Sequence, residues 1–138
     1  MLATEIFVTP NFKFSEFACK DGTPVPVHLY YNMRMLAGAL ECLRGHFQKP
    51  IIINSAYRTP AYNKKVGGVP ASQHLSCSAV DIRIVGIPPV HIFQVVRSFM
   101  KKGLIPAGAV IRYENFVHYD IRGHIVEIDN CERNSCSQ

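Results

Sequence analysis

The chain has 138 residues, 48% of them hydrophobic and 18% charged, which predicts one ordinary globular domain and excludes a wholly disordered chain. Its formal net charge of +5 would suit an anionic partner, but lysine and arginine are scattered along the chain, so we predict no nucleic-acid binding. No run approaches the roughly 20 apolar residues of a membrane-spanning helix and the start carries no recognisable export signal, so we expect a protein made in the cytoplasm without a membrane span.

The first predicted element is a long amphipathic helix over residues 27–47. Its apolar residues recur at alternating steps of four and three, which is the stripe of a helix that faces a core. They are Leu29, Met33, Leu36, Leu40, Leu43 and Phe47. Residues 51–53 follow as a short β-branched strand. Residues 54–77 contain prolines and glycines among polar residues, and they predict a long, functional connection with one helical turn near Tyr62.

The rest of the chain alternates predicted strands with one more helix. Residues 78–85 and 109–113 predict strands, and residues 88–102 predict a helix that begins with proline and ends before Gly103. Near the end, two further apolar runs predict a hairpin. They are residues 116–121 and 124–128, separated by Arg122-Gly123.

The elements together predict the fold class. Strands mixed with two main helices, without repeats or linkers, favour a single α+β domain over residues 1–138 with a largely antiparallel sheet packed against the helices. Residues 130–138 are polar and are expected to form a loose tail.

Two of the predicted strands carry one apolar face and one largely polar face. Alternation places Asp81 on the polar face of its strand, and His118 and Asp120 on the polar face of theirs. If the apolar faces pack on the same core, Asp81 and His118 point to the same side of the sheet. His74, on the preceding loop, can fold over that side. Spacing alone leaves an ordinary packed or solvent-exposed histidine as the stronger alternative, because the chain contains six histidines.

Two imidazoles and one carboxylate suit zinc. Nitrogen and oxygen donors at about 2.0 to 2.2 Å fill three tetrahedral positions and leave a fourth for water, which distinguishes a catalytic from a structural site. Bound zinc makes water more acidic and polarises a carbonyl group, and both effects promote amide hydrolysis. A site with these donors on the polar sheet face would therefore be suited to peptide cleavage.

Several segments resemble one known family. Residues 72–82, SQHLSCSAVDI, resemble the SxHxxGxAxDI signature of the zinc D-alanyl-D-alanine carboxypeptidase family, which includes phage endolysins. Residues 55–59, SAYRT, resemble its SGYR segment. Residues 116–120, FVHYD, resemble the closing histidine strand of its small single-domain branch, and residues 14–19 resemble the opening of that branch. The resemblance spans about residues 12–123 in order.

The resemblance implies a metal site and an arginine beside it. It implies that His74, Asp81 and His118 bind Zn2+ as the cofactor. It also implies that Arg58 lies next to the metal and binds a substrate carboxylate or the developing oxyanion, a role that suits its permanent charge and paired donors. A surface salt bridge is the alternative for Arg58.

Two further residues are candidates for substrate binding. Ser72 is expected either to orient His74 or to contact substrate, and the alternative is a plain turn residue. Tyr113 is expected to line a groove for an extended peptide, and the alternative is core packing.

The sequence departs from the family pattern at Cys77, where the motif has glycine. Thiolate binds zinc well, so Cys77 could be a fourth ligand, but that would close the open position and argue against catalysis. A site that accepts glycine requires a small residue, and cysteine behaves as a small hydrophobic residue. Packing is therefore the favoured interpretation.

The general base is a second departure from the family. Relatives carry an acid three residues before the last histidine or a second histidine two residues before it, whereas this chain has Asn115 and Phe116 there. The nearby carboxylates are Glu114 and Asp120. We expect Asp120 to be fixed by Arg83 or by the free ring nitrogen of a ligand histidine, so Glu114 is the slightly preferred base.

These observations favour a zinc metallopeptidase that acts on the bacterial cell wall. Its expected substrates are peptidoglycan stem or cross-bridge peptides, cleaved as a carboxypeptidase or as an endopeptidase, and the resemblance implies a phage-type route to the wall. The alternative from another class is a zinc-containing cell-wall or peptide-binding domain without catalysis, because the usual base is missing. A basic nucleic-acid module ranks third, and the sequence carries no signal for oligomeric state.

Overall fold

The computed structural model describes residues 6–131, which contain seven strands and three α-helices. The strands are β1 Phe7–Thr9, β2 Phe12–Lys13, β3 Ile52–Ser55, β4 Ala79–Arg83, β5 Ala109–Arg112, β6 Val117–Asp120 and β7 Val126–Asp129. The helices are α1 Tyr30–Phe47, α2 Pro60–Lys65 and α3 Pro89–Lys101. Most of the expected loose tail lies outside the described residues. Within the described residues, no helix is both long and apolar enough to cross a membrane.

The predicted apolar stripe of α1 faces the core. Met33, Leu36, Leu40 and Leu43 are buried, and a short 3-10 turn over Val27–Leu29 leads into the helix. Each such side chain contributes about 1.5 to 3 kcal/mol when it is fully buried. The helix ends at Phe47, and Gln48 caps it with a left-handed backbone while its N–H donates to the carbonyl group of Arg44.

The main sheet has the strand order β3-β4-β6-β5-β7. Its neighbouring strands run antiparallel except for β5 and β7, which are parallel. The apolar faces of β4 and β6 are buried, with Val80 packed in the same core as Tyr119 and the two main helices. The prediction of an α+β domain with an antiparallel-rich sheet and two main helices is confirmed.

The predicted terminal hairpin is wrong. β6 pairs with β4 and β5, and β7 lies on the far side of β5. The chain turns away after β6 because the Asp120 carboxylate accepts a hydrogen bond from the backbone N–H of Arg122, and Gly123 donates to the carbonyl group of Ala107. Gly123 has a φ of 107°, a conformation that glycine adopts without strain. The turn therefore leads to the outer edge of β5 instead of back along β6.

The long connection after β3 contains more structure than one helical turn. Thr59 caps α2 by accepting a hydrogen bond from the backbone N–H of Tyr62, and Pro60 occupies the first turn, where its missing N–H costs nothing. A 3-10 turn over Gln73–Ser76 then leads into β4. These two elements place the connection beside the polar face of the sheet.

Candidate metal centre and substrate cavity

The pairing of β4 with β6 places Asp81 directly opposite His118. Residues that face each other across an antiparallel pair have Cβ atoms about 4.5 to 5.5 Å apart on the same side of the sheet. The expectation that Asp81 and His118 point to the same side is therefore confirmed, and it follows from strand alternation together with the register.

His74 reaches the same place from the 3-10 turn before β4. The Ser72 hydroxyl accepts a hydrogen bond from the backbone N–H of His74 at 3.1 Å and caps this turn. His74 is 3% exposed, and its Nδ1 lies 2.7 Å from the carbonyl oxygen of Ala56. Because a carbonyl oxygen accepts only, Nδ1 carries the proton and donates it. Nε2, which lies 3.3 Å from Asp81 Oδ1, is left as the ligand atom.

His118 is held between two carboxylates. Its Nε2 lies 2.8 Å from Asp120 Oδ2 and its Nδ1 lies 3.0 Å from Asp81 Oδ1. Burial by itself lowers the pKa of His118, but the hydrogen bonds to Asp120 and Asp81 outweigh it and raise the pKa. Since Asp120 fixes Nε2 as a donor, Nδ1 is the atom available to a metal.

The three side chains form a compact donor set. His74, Asp81 and His118 each offer one ligand atom, and these atoms all lie within 4.8 Å of one another. Burial by itself raises the pKa of Asp81, but its close contacts with the His118 and His74 rings lower it to about 2, so the carboxylate is ionised. Two imidazole nitrogens and one carboxylate oxygen fit zinc, which binds imidazole in its neutral form. Each imidazole is oriented through its other ring nitrogen.

Arg58 lies beside this donor set and is largely buried. Its side chain is 15% exposed, and its Nη2 lies 3.6 Å from Asp81 Oδ2. Its Nε donates to the Ser55 hydroxyl at 3.2 Å and its Nη1 donates to the Asn63 side-chain carbonyl at 3.1 Å. This environment differs from that of a surface salt bridge.

A cavity of about 400 Å3 opens over the donor set. Tyr113 and Phe116 form one wall, with their rings stacked at 4.6 Å between centroids. The lining includes the polar or ionisable side chains Arg58, Ser72, His74, Asp81, Tyr113, His118 and Arg122 and the apolar side chains Val66, Val69, Ala71, Ile111 and Phe116. The structure thus brings together every predicted metal-binding and substrate-binding residue.

A family model described as Peptidase M15 matches residues 10–120. The chain belongs to the peptidase M15 family. This is the family of zinc D-alanyl-D-alanine carboxypeptidases, so the recognition from residues 55–59, 72–82 and 116–120 is confirmed. No curated protein and no solved structure matches the chain. Membership implies a metallopeptidase, and the His74, Asp81 and His118 group is placed to hold its metal.

Asp120 of this M15 domain is fully buried, and both of its carboxylate oxygens accept hydrogen bonds. Its Oδ1 accepts from the backbone N–H of Ala109 at 2.9 Å and from Arg122 Nε at 2.9 Å, and its Oδ2 accepts from Arg122 Nη2 at 2.8 Å as well as from His118. Burial by itself raises the pKa of Asp120, but these hydrogen bonds outweigh it and hold the pKa well below its usual range. A carboxylate held in this way orients His118 and is a poor base.

Arg122 is the functional residue that the sequence reasoning missed. We expected Arg83 or a ligand histidine to fix Asp120; the histidine does so, whereas Arg83 is exposed and donates to Asn54. The position of Arg122, two residues past Asp120 where β6 ends, was the available signal. The predicted hairpin instead places Arg122 in its turn.

Glu114 lies in the turn between β5 and β6 of this M15 domain. It is exposed and does not belong to the cavity lining, although it follows Tyr113, which does. The backbone N–H of Tyr113 donates to the carbonyl group of Phe116 and closes the turn. To act on a bound substrate, the Glu114 side chain must turn towards the cavity.

Cys77 packs in the core and lies outside the donor set of this M15 domain. It is fully buried, and burial raises the pKa of its thiol to about 12, which disfavours the thiolate that zinc binds. Its φ of 55° lies in the left-handed region. The family motif therefore has glycine here for backbone conformation as well as for small size.

We expect Cys77→Ala to retain the full metal content of the native protein, because the thiol is neutral and packed away from the donor set. Loss of the buried sulfur should lower stability by about 1 kcal/mol, as for a small buried group. Elemental analysis and thermal melts measure the two effects. A metal content well below that of the native protein would place the thiol among the ligands.

Proposed function

We propose that this M15 domain is a zinc-dependent peptidase that hydrolyses peptide bonds in the stem or cross-bridge peptides of bacterial peptidoglycan. The observation that carries the proposal is the His74, Asp81 and His118 donor set at the base of an open cavity, with Arg58 beside it. Membership of the zinc D-alanyl-D-alanine carboxypeptidase family supports this class of substrate. The cell wall is the proposed place of action because such peptides occur there.

Each of the three residues would bind the metal through one particular side-chain atom. His74 would bind it through Nε2, His118 through Nδ1 and Asp81 through its carboxylate, because Ala56 and Asp120 engage the other ring nitrogens. When zinc is bound, it supplies a Lewis acid that polarises the substrate carbonyl and lowers the pKa of a water molecule.

Arg58 would bind the negative charge of the substrate. Its guanidinium group lies at the cavity wall next to Asp81, where it can contact a substrate carboxylate or the oxyanion that develops during attack. Val66, Val69 and the stacked Tyr113 and Phe116 rings provide apolar walls for the rest of a short peptide. The cavity combines one cationic anchor with apolar contacts, and this combination suits a small peptide substrate.

Glu114 is proposed as the general base that takes a proton from the attacking water and passes it to the leaving amine. Glu114 is exposed and follows Tyr113, which lines the cavity, and it takes no part in the hydrogen bonds that hold Asp120. Tyr113 is a second candidate because it lines the cavity. Burial and the charge of Asp81 raise the pKa of Tyr113, which keeps its hydroxyl group protonated and able to donate.

We expect Glu114→Gln to lower turnover by about 100-fold while metal content stays unchanged, since a general base contributes this much and the residue lies outside the donor set. Tyr113→Phe keeps the stacked ring and removes only the hydroxyl group, so it serves as the matched variant. Both are assayed on a peptide that the native protein cleaves. If Glu114→Gln keeps wild-type turnover and Tyr113→Phe loses most of it, Tyr113 and not Glu114 transfers the proton.

The proposed function is tested by incubating the zinc-loaded protein with purified peptidoglycan and analysing the products by mass spectrometry. Release of D-alanine indicates a carboxypeptidase, and newly separated stem or cross-bridge peptides indicate an endopeptidase. His74→Ala is the control, and its digest should match that of untreated peptidoglycan. Retention of the native protein on peptidoglycan without any cleavage would instead support the non-catalytic binding domain.

A further inference from the structure

The guanidinium group of Arg58 is held by two neutral acceptors. Its Nε donates to the Ser55 hydroxyl and its Nη1 donates to the Asn63 side-chain carbonyl. Neither acceptor cancels its positive charge. Among the described residues, the carboxylate paired with it is Asp81, whose Oδ2 lies 3.6 Å from Nη2 and which also belongs to the metal donor set. Arg58 is thus fixed in position while its charge stays available to an anion.

Asn63 connects Arg58 to the loop that carries Val69. The side chain is only 4% exposed and uses both ends of its amide. Oδ1 accepts from Arg58 Nη1 at 3.1 Å, and Nδ2 donates to the carbonyl group of Val69 at 2.9 Å. Its backbone carbonyl also accepts from the N–H of Gly68 at 2.8 Å. One buried amide therefore holds both the cationic anchor and the loop that carries Val66 and Val69.

Gly68 leaves the space that this arrangement needs. A Cβ atom at position 68 would collide with the Asn63 amide and lie 2.9 Å from Arg58 Nη1. Gly68 does not have a positive φ, unlike its neighbour Gly67. Lack of room, not backbone conformation, is therefore the reason for glycine here. The close packing restricts the Asn63 amide to its observed position.

We propose that Asn63 is a positioning residue for Arg58, which it holds in the orientation that receives the anionic part of the substrate. Asn63 does not line the substrate cavity, so its effect on the reaction passes through Arg58. The effect of Asn63 on kinetics can be measured only if the proposed peptidase function is correct, so this part of the inference rests on that function. The structural consequence, an ordered guanidinium group, can be measured in the absence of any substrate.

The kinetic test is a double-mutant cycle on a peptide that the native protein cleaves. Asn63→Ala should lower kcat/KM by about 100-fold, the size of effect that a misplacement of about 1 Å can produce. In an Arg58→Lys background, whose ammonium group lacks the paired donors, the same change should have an effect of less than about threefold, because residues that act as a unit are not additive. Equal losses in both backgrounds would overturn the proposal.

Asn32 provides the matched control. Its side-chain amide donates to the carbonyl group of Ser76 at 2.9 Å, so Asn32→Ala also removes an amide-to-carbonyl hydrogen bond from the connection before β4, but without any contact to Arg58. We expect Asn32→Ala to leave kcat/KM unchanged. If it lowers kcat/KM as much as Asn63→Ala does, the effect of Asn63 is general loop stability and the proposal fails.

A second measurement separates the inference from the proposed function. In NMR spectra of the native protein, the Nε–H group of Arg58 should give a distinct, slowly exchanging signal, assigned by its absence in Arg58→Lys. The signal should broaden in Asn63→Ala and persist in Asn32→Ala. An unchanged signal in Asn63→Ala would overturn the positioning role. If the signal changes as expected but the native protein cleaves no peptide, the proposed function fails and the positioning role stands.

Discussion

We expect His118→Ala to abolish zinc binding and hydrolysis and to leave the fold largely intact. The native protein should hold about one zinc ion per chain, and loss of one of three ligands from a catalytic site leaves too few donors to retain it. The backbone of β6 keeps its partners β4 and β5, and the core side chains Val117 and Tyr119 on its other face are unchanged. Elemental analysis after zinc loading and circular dichroism measure the two effects.

The control for this experiment is His91→Ala. His91 is an exposed histidine of α3 and does not belong to the donor set, so its removal should leave the zinc content of the native protein unchanged. Full zinc occupancy in His118→Ala would show that the assignment of the ligands is wrong. Loss of zinc in both variants would show that the loss is not specific to His118 and does not identify a ligand.

Asp120→Asn should weaken both the fold and the metal site. The amide keeps the shape of Asp120 but removes the charge that faces Arg122. Because Arg122 is 31% exposed, we expect a loss of about 1.5 to 3 kcal/mol, the contribution of a hydrogen bond to a charged group. The substitution also removes the acceptor that fixes the ring of His118, and loss of such a partner lowers metal affinity by about 10- to 100-fold. Denaturant unfolding and zinc titration against a chelator measure these losses.

Asp129→Asn is the matched control. Asp129 accepts two hydrogen bonds from Arg112, each at 2.9 Å, in an ion pair that does not touch the donor set. The variant should lose stability and keep the zinc affinity of the native protein. Unchanged zinc affinity in Asp120→Asn would contradict the orienting role of Asp120 and leave it with a purely structural one.

The pH dependence of stability provides a further readout of Asp120. Its pKa in the folded protein lies below the ordinary value of 3.8, so the carboxylate contributes stability that is fully present above about pH 4. That contribution is lost as pH falls below 3.8 towards the folded pKa. Thermal melts between pH 7 and pH 3 should therefore show a smaller drop in Tm for Asp120→Asn than for the native protein.

Alternation and periodicity in the sequence were enough to predict the faces of the main elements. The stripe from Leu29 to Phe47 gave the core face of α1, because a side-chain period of 3.6 is a local property of the helix. The same reasoning placed Asp81 and His118 on the polar faces of their strands, since the period of a strand is two. The recognised motif added His74, which periodicity alone could not place.

The terminal hairpin shows where local patterns fail. The residues around Arg122-Gly123 have the composition of a tight turn, but strand pairing depends on which edge of the sheet the chain can reach. Here the Asp120 carboxylate binds the Arg122 backbone and Gly123 binds Ala107, so β7 joins β5 instead of β6. Both contacts join backbone groups to partners that the periodicity of the sequence does not reveal.

The sequence by itself thus predicted the two main helices and the side of the sheet on which Asp81 and His118 lie, and the recognised motif supplied the three candidate ligands. Only the tertiary structure decided which nitrogen each histidine offers, because those nitrogens are fixed by the carbonyl group of Ala56 and by the carboxylate of Asp120. It likewise decided that Arg58 is held by Asn63. The physical reason is that hydrogen-bond partners are selected by distance and direction in the folded chain, and neither is encoded in the local spacing of residues.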